Sequence, residues 1–429
     1  MSSEQKQKNY MLPIVIMVFL FGMISFVTNL AAPMGKILTT QFNVSPAMGL
    51  LGNFANFIAY AVMGIPGGII LTKYGYKKTA LAAVIVGLIG VFIQYLSGGQ
   101  QSFLIYLIGA FVSGFSMCLL NMVVNPMLNT LGGGGNKGNQ LIQIGGSFNS
   151  VMGTLTPMLV GVLVGEITKQ TSITDVYPVL FIAMGVFAFA FVVLFFSHLP
   201  EPQSEETNES LTTLMKGALK FRHFVLGALA IFVYVGVEVG TPGVLDMWLV
   251  KEIGIAPTIA GFVCGTYWFL MLIGRLVGAS IGSKVSSRTM LAATSGVAFL
   301  LVAFAMILPV STLVSVPVLQ TNAVGALGFG MAEVPINALL LLLVGLCTSI
   351  MWGGIFNLAV EGLGKYLSAA SGIFMMLVCG GGILPWIQGL IVNVAGYQFS
   401  YIVIVLALVY LFYYALVGSK NVNKDIPVE

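Results

Sequence analysis

Twelve apolar runs of roughly 20 residues, separated by short polar stretches, account for most of the 429-residue sequence. That length matches the hydrocarbon thickness of a bilayer, where every backbone N–H and C=O must find its partner inside the protein. Helices and closed barrels alone meet the demand, and runs this long without strict alternation are helical. The spans fall near residues 12–34, 47–71, 78–97, 102–127, 141–165, 177–197, 223–249, 257–282, 289–309, 336–360, 368–393 and 399–417. Only 7% of the residues are charged, so the polar stretches are loops and tails rather than soluble domains. The first run is too long for a signal-peptide core and has no small-residue cleavage site after it, which makes it a retained span.

An even number of spans puts both termini on one side of the membrane. Of the 18 lysines and arginines, 14 lie in the tails or in even-numbered connections, and only Lys36, Lys169 and Lys251 lie opposite, with Arg275 inside a span. The positive-inside rule makes both termini cytoplasmic, in a multi-pass protein of the inner (plasma) membrane. The net charge of +4 follows from that bias and gives no reason to invoke nucleic acid. Cys118, Cys264, Cys347 and Cys379 sit in separate spans without a CxxC pair and read as structural free thiols.

"GIPGGIILTKYGYKKTALAA" at 64–83 aligns with "GRLVGASIGSKVSSRTMLAA" at 274–293, matching glycines, a threonine, a leucine and alanine pairs at an offset of 210. Gly153, Pro157 and Gly161 align with Gly381, Pro385 and Gly389 at 228, and the added length belongs to the stretch 310–335. The repeat predicts an all-α protein of two pseudo-symmetric six-helix halves in the same orientation, 1–197 and 222–429, joined by a cytoplasmic linker at 198–221. Parallel repeats of this kind hold a substrate near the bilayer midplane, between the halves.

Polar groups inside spans face a cavity or a partner helix, because lipid cannot satisfy them. Asn121, Asn125 and Asn129 are spaced four apart and share one helix face. Asn129, nearest the glycine-rich loop, caps the helix or orders that loop. Gln143, Ser147, Ser150 and Thr154 form a second polar face, with Asn149 off the stripe. Ser25, Thr28 and Asn29 on the first span and Asn53, Asn56 and Tyr60 on the second extend the set. Carboxamides donate and accept at once, which suits hydroxyl-rich solutes or, equally, helix-to-helix bonds. Trp352 and Trp386 lie inside spans where a ring face stacks on a sugar or packs in the core, and Asn357 and Gln388 stand near them. Glu238 is the one carboxylate near mid-membrane, and Arg275, near the cytoplasmic end of its span, is expected to hold helix ends together. Asp246 and Lys36 lie at equivalent ends of the two halves, which predicts either a gate between them or two separately solvated charges.

At "LLNMVVNPMLNTLG", "SFNSVMG", "VYVGVEVGTPG" and "SIMWGGIFNLAVEGLG" the chain resembles the major facilitator superfamily, in particular sugar:cation symporters of the fucose permease type. The resemblance implies the twelve-helix fold and alternating-access sugar transport. It also marks departures. The aspartate of the family's first-helix motif falls on Ala32, in Thr28-Asn29-Leu30-Ala31-Ala32, and its proton-linked glutamate falls on Asn121. The glutamine preceding the family's T-F-N-S becomes Gly146, while the asparagine stays as Asn149. Thr72 replaces the loop aspartate common in the wider superfamily.

These readings predict a secondary transporter importing a sugar or sugar derivative as a functional monomer in the lipid bilayer. The substrate side chains are Asn29, Asn53, Asn56, Asn121, Asn125, Gln143, Asn149, Trp352, Asn357, Trp386 and Gln388, with Glu238 for coupling and Lys36 and Asp246 for the gate. With Ala32 and Asn121 unable to titrate, sodium is favoured over protons as the co-transported cation, and no cofactor is expected. A sugar uniporter, a proton-coupled exporter of amphipathic drugs and a sugar-sensing receptor are the alternatives. The only histidines, His198 and His223, flank the linker, "GGGGNKG" lacks the Walker spacing, and no nucleophile or metal motif is present, which argues against an enzyme.

Overall fold

The computed structural model describes residues 10–30, 34, 37–38, 41–42, 51–164, 171–201, 211–321, 327–423 and 425–428. Lys36 and Ala32 lie outside these residues.

The helices are α1 (Met11–Asn29), α2 (Leu51–Gly99), α3 (Phe103–Leu131), α4 (Gly135–Val164), α5 (Tyr177–Phe196), α6 (Leu211–Ala218), α7 (Arg222–Lys251), α8 (Pro257–Ile281) and α9 (Ser287–Ile307). After strands β1 (Leu313–Thr321) and β2 (Leu327–Pro335) follow α10 (Ile336–Thr348), α11 (Met351–Val360), α12 (Leu367–Met376), α13 (Gly380–Ala395) and α14 (Ile402–Tyr413). Ten helical stretches are long and apolar enough to cross a bilayer, with α10–α11 and α12–α13 each forming one. Within that set α2 breaks into two limbs, and the more polar 30-residue α4 stands beside it, so the described residues form twelve rods of spanning length.

The break in α2 has a local cause. Gly75 takes φ 78°, ψ 177°, which reverses the chain and bares the first N–H groups of the second limb. Glu201, just past α5, caps them: its carboxylate accepts from Tyr76 N at 2.7 Å and Lys77 N at 3.0 Å, an anion at a helix N-terminus. A Cβ at Gly75 would lie 2.7 Å from that carboxylate.

The expectation of an all-α protein is corrected by the antiparallel hairpin β1–β2, paired from Leu313 with Pro335 to Thr321 with Leu327. It occupies the stretch where the repeat offset grows from 210 to 228. Val314, Val316 and Val318 alternate with Ser315, Pro317 and Leu319, a period of two, and the face with Val316, Val318, Ala332 and Val334 is buried. Leu319 N–H donates to Thr266 Oγ1 of α8 at 2.8 Å, and Phe329 packs edge-on against Phe269. Pro317 and Pro335 have no N–H to leave unpaired, which blunts the sheet edges.

Helices before residue 198 pack mainly with one another, as α2 with α3 and α5 and α1 with α4, and α7–α14 do likewise. Contacts between the two sets run from α2 to α12, α4 to α8 and α4 to α11. Small residues permit the closest of these: a Cβ on Gly64 would lie 2.8 Å from Met376 N, and one on Gly68 would lie 3.1 Å from Gly372 Cα. Gln140 Nε2 donates to Ala279 O across the same seam at 2.8 Å. The seam is closed at the end of the bundle that carries the α2 break and the α3–α4 and α8–α9 turns.

Candidate functional site

Above that closed end the two helix sets part around a cavity of about 640 Å³. Its lining runs from Gln143, Ser349 and Gly353 at the floor to Asp246 and Lys251 at the end of α7. Of the sequence-predicted substrate residues, Asn29, Asn53, Asn121, Gln143, Asn149 and Trp352 meet there, with Glu238 and Asp246. Thr28, Tyr60, Trp268 and Cys264 line it too, and none of the four cysteines is in a disulfide.

The asparagine row on α3 divides its labour. Asn121 Nδ2 donates to Tyr60 Oη at 3.0 Å, and this rung borders the cavity. Asn125 is fully buried. Its Nδ2 donates to Asn121 O at 2.9 Å and Oδ1 at 3.2 Å, and its own Oδ1 accepts from Trp352 Nε1 at 2.9 Å. One turn on, Asn129 Nδ2 donates to Asn357 Oδ1 at 2.8 Å, and Asn357 Nδ2 passes a bond to Ser287 Oγ at 2.9 Å. The two lower rungs therefore stitch α3 to α11 across the seam, and Asn357 belongs to a second hollow of about 360 Å³ at the closed end rather than to the main cavity. Trp352 serves twice: its N–H is spent on Asn125 while the indole still borders the cavity.

Three further expected substrate residues stand elsewhere. Trp386 is 64% exposed on the same outward stripe of α13 as Leu390 and Val394. Gln388 is turned the other way, fully buried, with Nε2 3.5 Å from Ser400 Oγ. Residues two apart on a helix point in nearly opposite directions, so these two cannot share one cavity. Asn56 is buried against Gly114 on α3, its Oδ1 without a partner among the described residues. Trp386→Ala is accordingly expected to leave the affinity for a solute held in the cavity unchanged within a factor of about two, since nothing at that ring reaches the cavity. Equilibrium binding to the purified variant measures this, and a tenfold loss would place a ligand at the outer face of α13.

Arg275 departs most from expectation. It lies six residues from the end of α8, roughly 9 Å at the helical rise, and its side chain extends inward to the cavity floor instead of tying helix ends. There Nη2 meets Glu238 Oε1 at 3.4 Å, both side chains nearly buried. Nη1 donates to Gly146 O at 2.8 Å, Ser150 Oγ at 2.7 Å and Asn149 Oδ1 at 3.2 Å, and Nε donates to Ser349 O at 3.3 Å. Asn149 Nδ2 is held in turn by Phe21 O at 2.9 Å. A Cβ on Gly146 would sit 3.4 Å from Arg275 Cδ, in ordinary contact, so the guanidinium lies against α4 where only a small residue leaves it room. Gln143 braces the same floor through Ile350 O at 2.9 Å. On α1, Asn29 Nδ2 donates to Ser25 O at 2.9 Å and Ser25 Oγ at 3.0 Å, and both residues line the cavity.

Known proteins share this architecture. The Major Facilitator Superfamily profile matches residues 14–342, and the chain belongs to that family. It is 27% identical over 428 residues to a glucose/galactose transporter of Brucella abortus biovar 1 (strain 9-941), covering 98% of this chain and 97% of that protein. It is 22% identical over 425 residues to the L-fucose-proton symporter of Escherichia coli (strain K12), with 91% and 89% covered. The solved structure of FucP in the outward conformation superposes with a TM-score of 0.79 at 20% identity, over 96% of this chain and all of that one. These relatives are membrane transporters and not enzymes.

Proposed function

We propose that this chain carries a neutral sugar across the cytoplasmic membrane by alternating access between two six-helix halves, with both termini cytoplasmic and net movement inward. The observation that carries the reading is the cavity lining, which brings the side chains of Asn29, Asn53, Asn121, Gln143 and Asn149 together with those of Trp268 and Trp352. Such a wall supplies paired donors and acceptors for hydroxyls and flat apolar faces for a pyranose. The relatives' names, glucose/galactose transporter and L-fucose-proton symporter, support the same class. An exporter of amphipathic drugs would gain little from five carboxamides, each of which costs free energy when buried against an apolar solute.

The engagement of Arg275 supports a neutral substrate. A uronate would need a free guanidinium, and every nitrogen of this one already has an oxygen partner.

Glu238 is the coupling group in this proposal, and the pair it forms moves the preference from sodium to protons. Sodium would have to compete with the Arg275 cation for the single carboxylate. A proton only neutralises Glu238, and Arg275 keeps four other acceptors, Gly146 O, Asn149 Oδ1, Ser150 Oγ and Ser349 O. The test is uptake of a radiolabelled sugar panel in proteoliposomes with proton and sodium gradients imposed separately. Accumulation under the proton gradient alone is expected; accumulation under neither makes the protein a uniporter.

Lys36 and Asp246 remain the proposed outer gate, with Asp246 at the cavity mouth. Neutralising either is expected to speed thiol labelling of the outer cavity, and exchanging the two charges restores part of the protection. Equal labelling in all three variants removes the gate.

A further inference from the structure

We propose that Arg275 is a tethered cation, filling an oxygen cage that would otherwise hold a monovalent metal ion and thereby making the carrier independent of sodium. Three features of the site carry this. The guanidinium is surrounded by five oxygens drawn from two other helices and a turn: Gly146 O, Asn149 Oδ1 and Ser150 Oγ of α4, Glu238 Oε1 of α7, and Ser349 O between α10 and α11. Two carbonyls, an amide oxygen, a hydroxyl and a carboxylate form the donor set that hard cations select.

The charge also balances at one. Glu238 supplies the only formal negative charge among these ligands, so a monovalent ion leaves the cage neutral, as Arg275 does now. Space is the third feature. Gly146 sends no side chain into the cage, and the Cδ, Nε and Cζ atoms of Arg275 lie 3.4, 3.5 and 3.8 Å from where a Cβ would stand, a contact that leaves no room for a longer side chain.

The cage also spans the two helix sets, so whatever cation fills it helps hold the cavity floor together. Removing the tether should expose a site that free sodium can enter. Arg275→Ala and Arg275→Gln are therefore expected to gain a sodium dependence that the unmodified protein lacks.

The experiment is thermal unfolding of the purified full-length protein in sodium, potassium or choline chloride at equal ionic strength. The unmodified protein is expected to melt at the same temperature in sodium and choline. Both neutral variants melt lower in choline and recover by at least about 2 °C in sodium, through ligand linkage to the folded state. Millimolar guanidinium ion restores Arg275→Ala in the same way, and adding Glu238→Gln to either variant abolishes the sodium response. Sodium-specific stabilisation of the unmodified protein overturns the proposal. So does a folded Arg275→Ala indifferent to sodium, potassium and guanidinium alike, or a failure of both neutral variants to fold in sodium as well as choline. Melting reads the cage whatever solute is carried, so its outcome is separate from the sugar-transport reading, which the uptake panel tests.

Discussion

Glu238→Gln is expected to abolish accumulation of sugar against its gradient while leaving sugar exchange between the two sides of a proteoliposome intact. Glutamine keeps an oxygen for Arg275 Nη2, 3.4 Å away in the native pair, so the cavity floor keeps its shape. What it loses is the ability to bind and release a charge. One charge moved through 100 mV is worth about 2.3 kcal/mol, which at 1.36 kcal/mol per decade is roughly a fifty-fold accumulation. Concentrative uptake should fall by that factor, to equilibration, with counterflow rates within a few-fold of the native protein. A variant that still concentrates sugar shows that Glu238 is not the coupling group.

The second large effect separates two asparagines that look equivalent in sequence. Asn125→Ala removes the buried acceptor of the part-buried Trp352 N–H, and with it a bond that ties α3 to α11. An orphaned buried donor costs about 1–3 kcal/mol, and because this bond exists only while that end of the bundle is closed, the cost falls on the closed arrangement. Populations should move some 5- to 150-fold toward the opposite opening, read as slower labelling of cysteines placed in the present cavity. Asn121→Ala leaves the seam intact and should instead weaken sugar binding by about 0.5–1.5 kcal/mol, measured by titration. If both variants lose affinity equally and labelling is unchanged, the row acts on the sugar as one unit and the seam is held elsewhere.

The spans were legible because length and apolarity are one-dimensional properties. Their rotation was legible only where a helix has a polar side. The face of α4 carrying Gln143 could be recognised for that reason, whereas α13 is apolar nearly all round, and only the 200° between Trp386 and Gln388 warned that both could not face inward. Arg275 was misplaced because its position was judged by distance from the helix end, while an arginine head reaches well beyond its own backbone. Gly146 holds the matching signal, a small residue beside the polar face of α4, but it reads as a gap until the guanidinium lying against it is seen. The hairpin's valines alternate visibly at 314, 316 and 318, yet two prolines in the same stretch hide the strands until their edges are located.

The hairpin has a further consequence for imaging. A carrier of 45.5 kDa, mostly enclosed by detergent, presents little rigid mass for aligning particles in electron cryomicroscopy. β1 and β2 are locked in register over nine pairs and fastened to α8 at Thr266, and only residues 322–326 join them. A compact β domain spliced between Thr321 and Leu327 as a continuation of both strands would inherit the orientation of α8. It would act as a fiducial that reports, particle by particle, the tilt of the wall that carries Arg275.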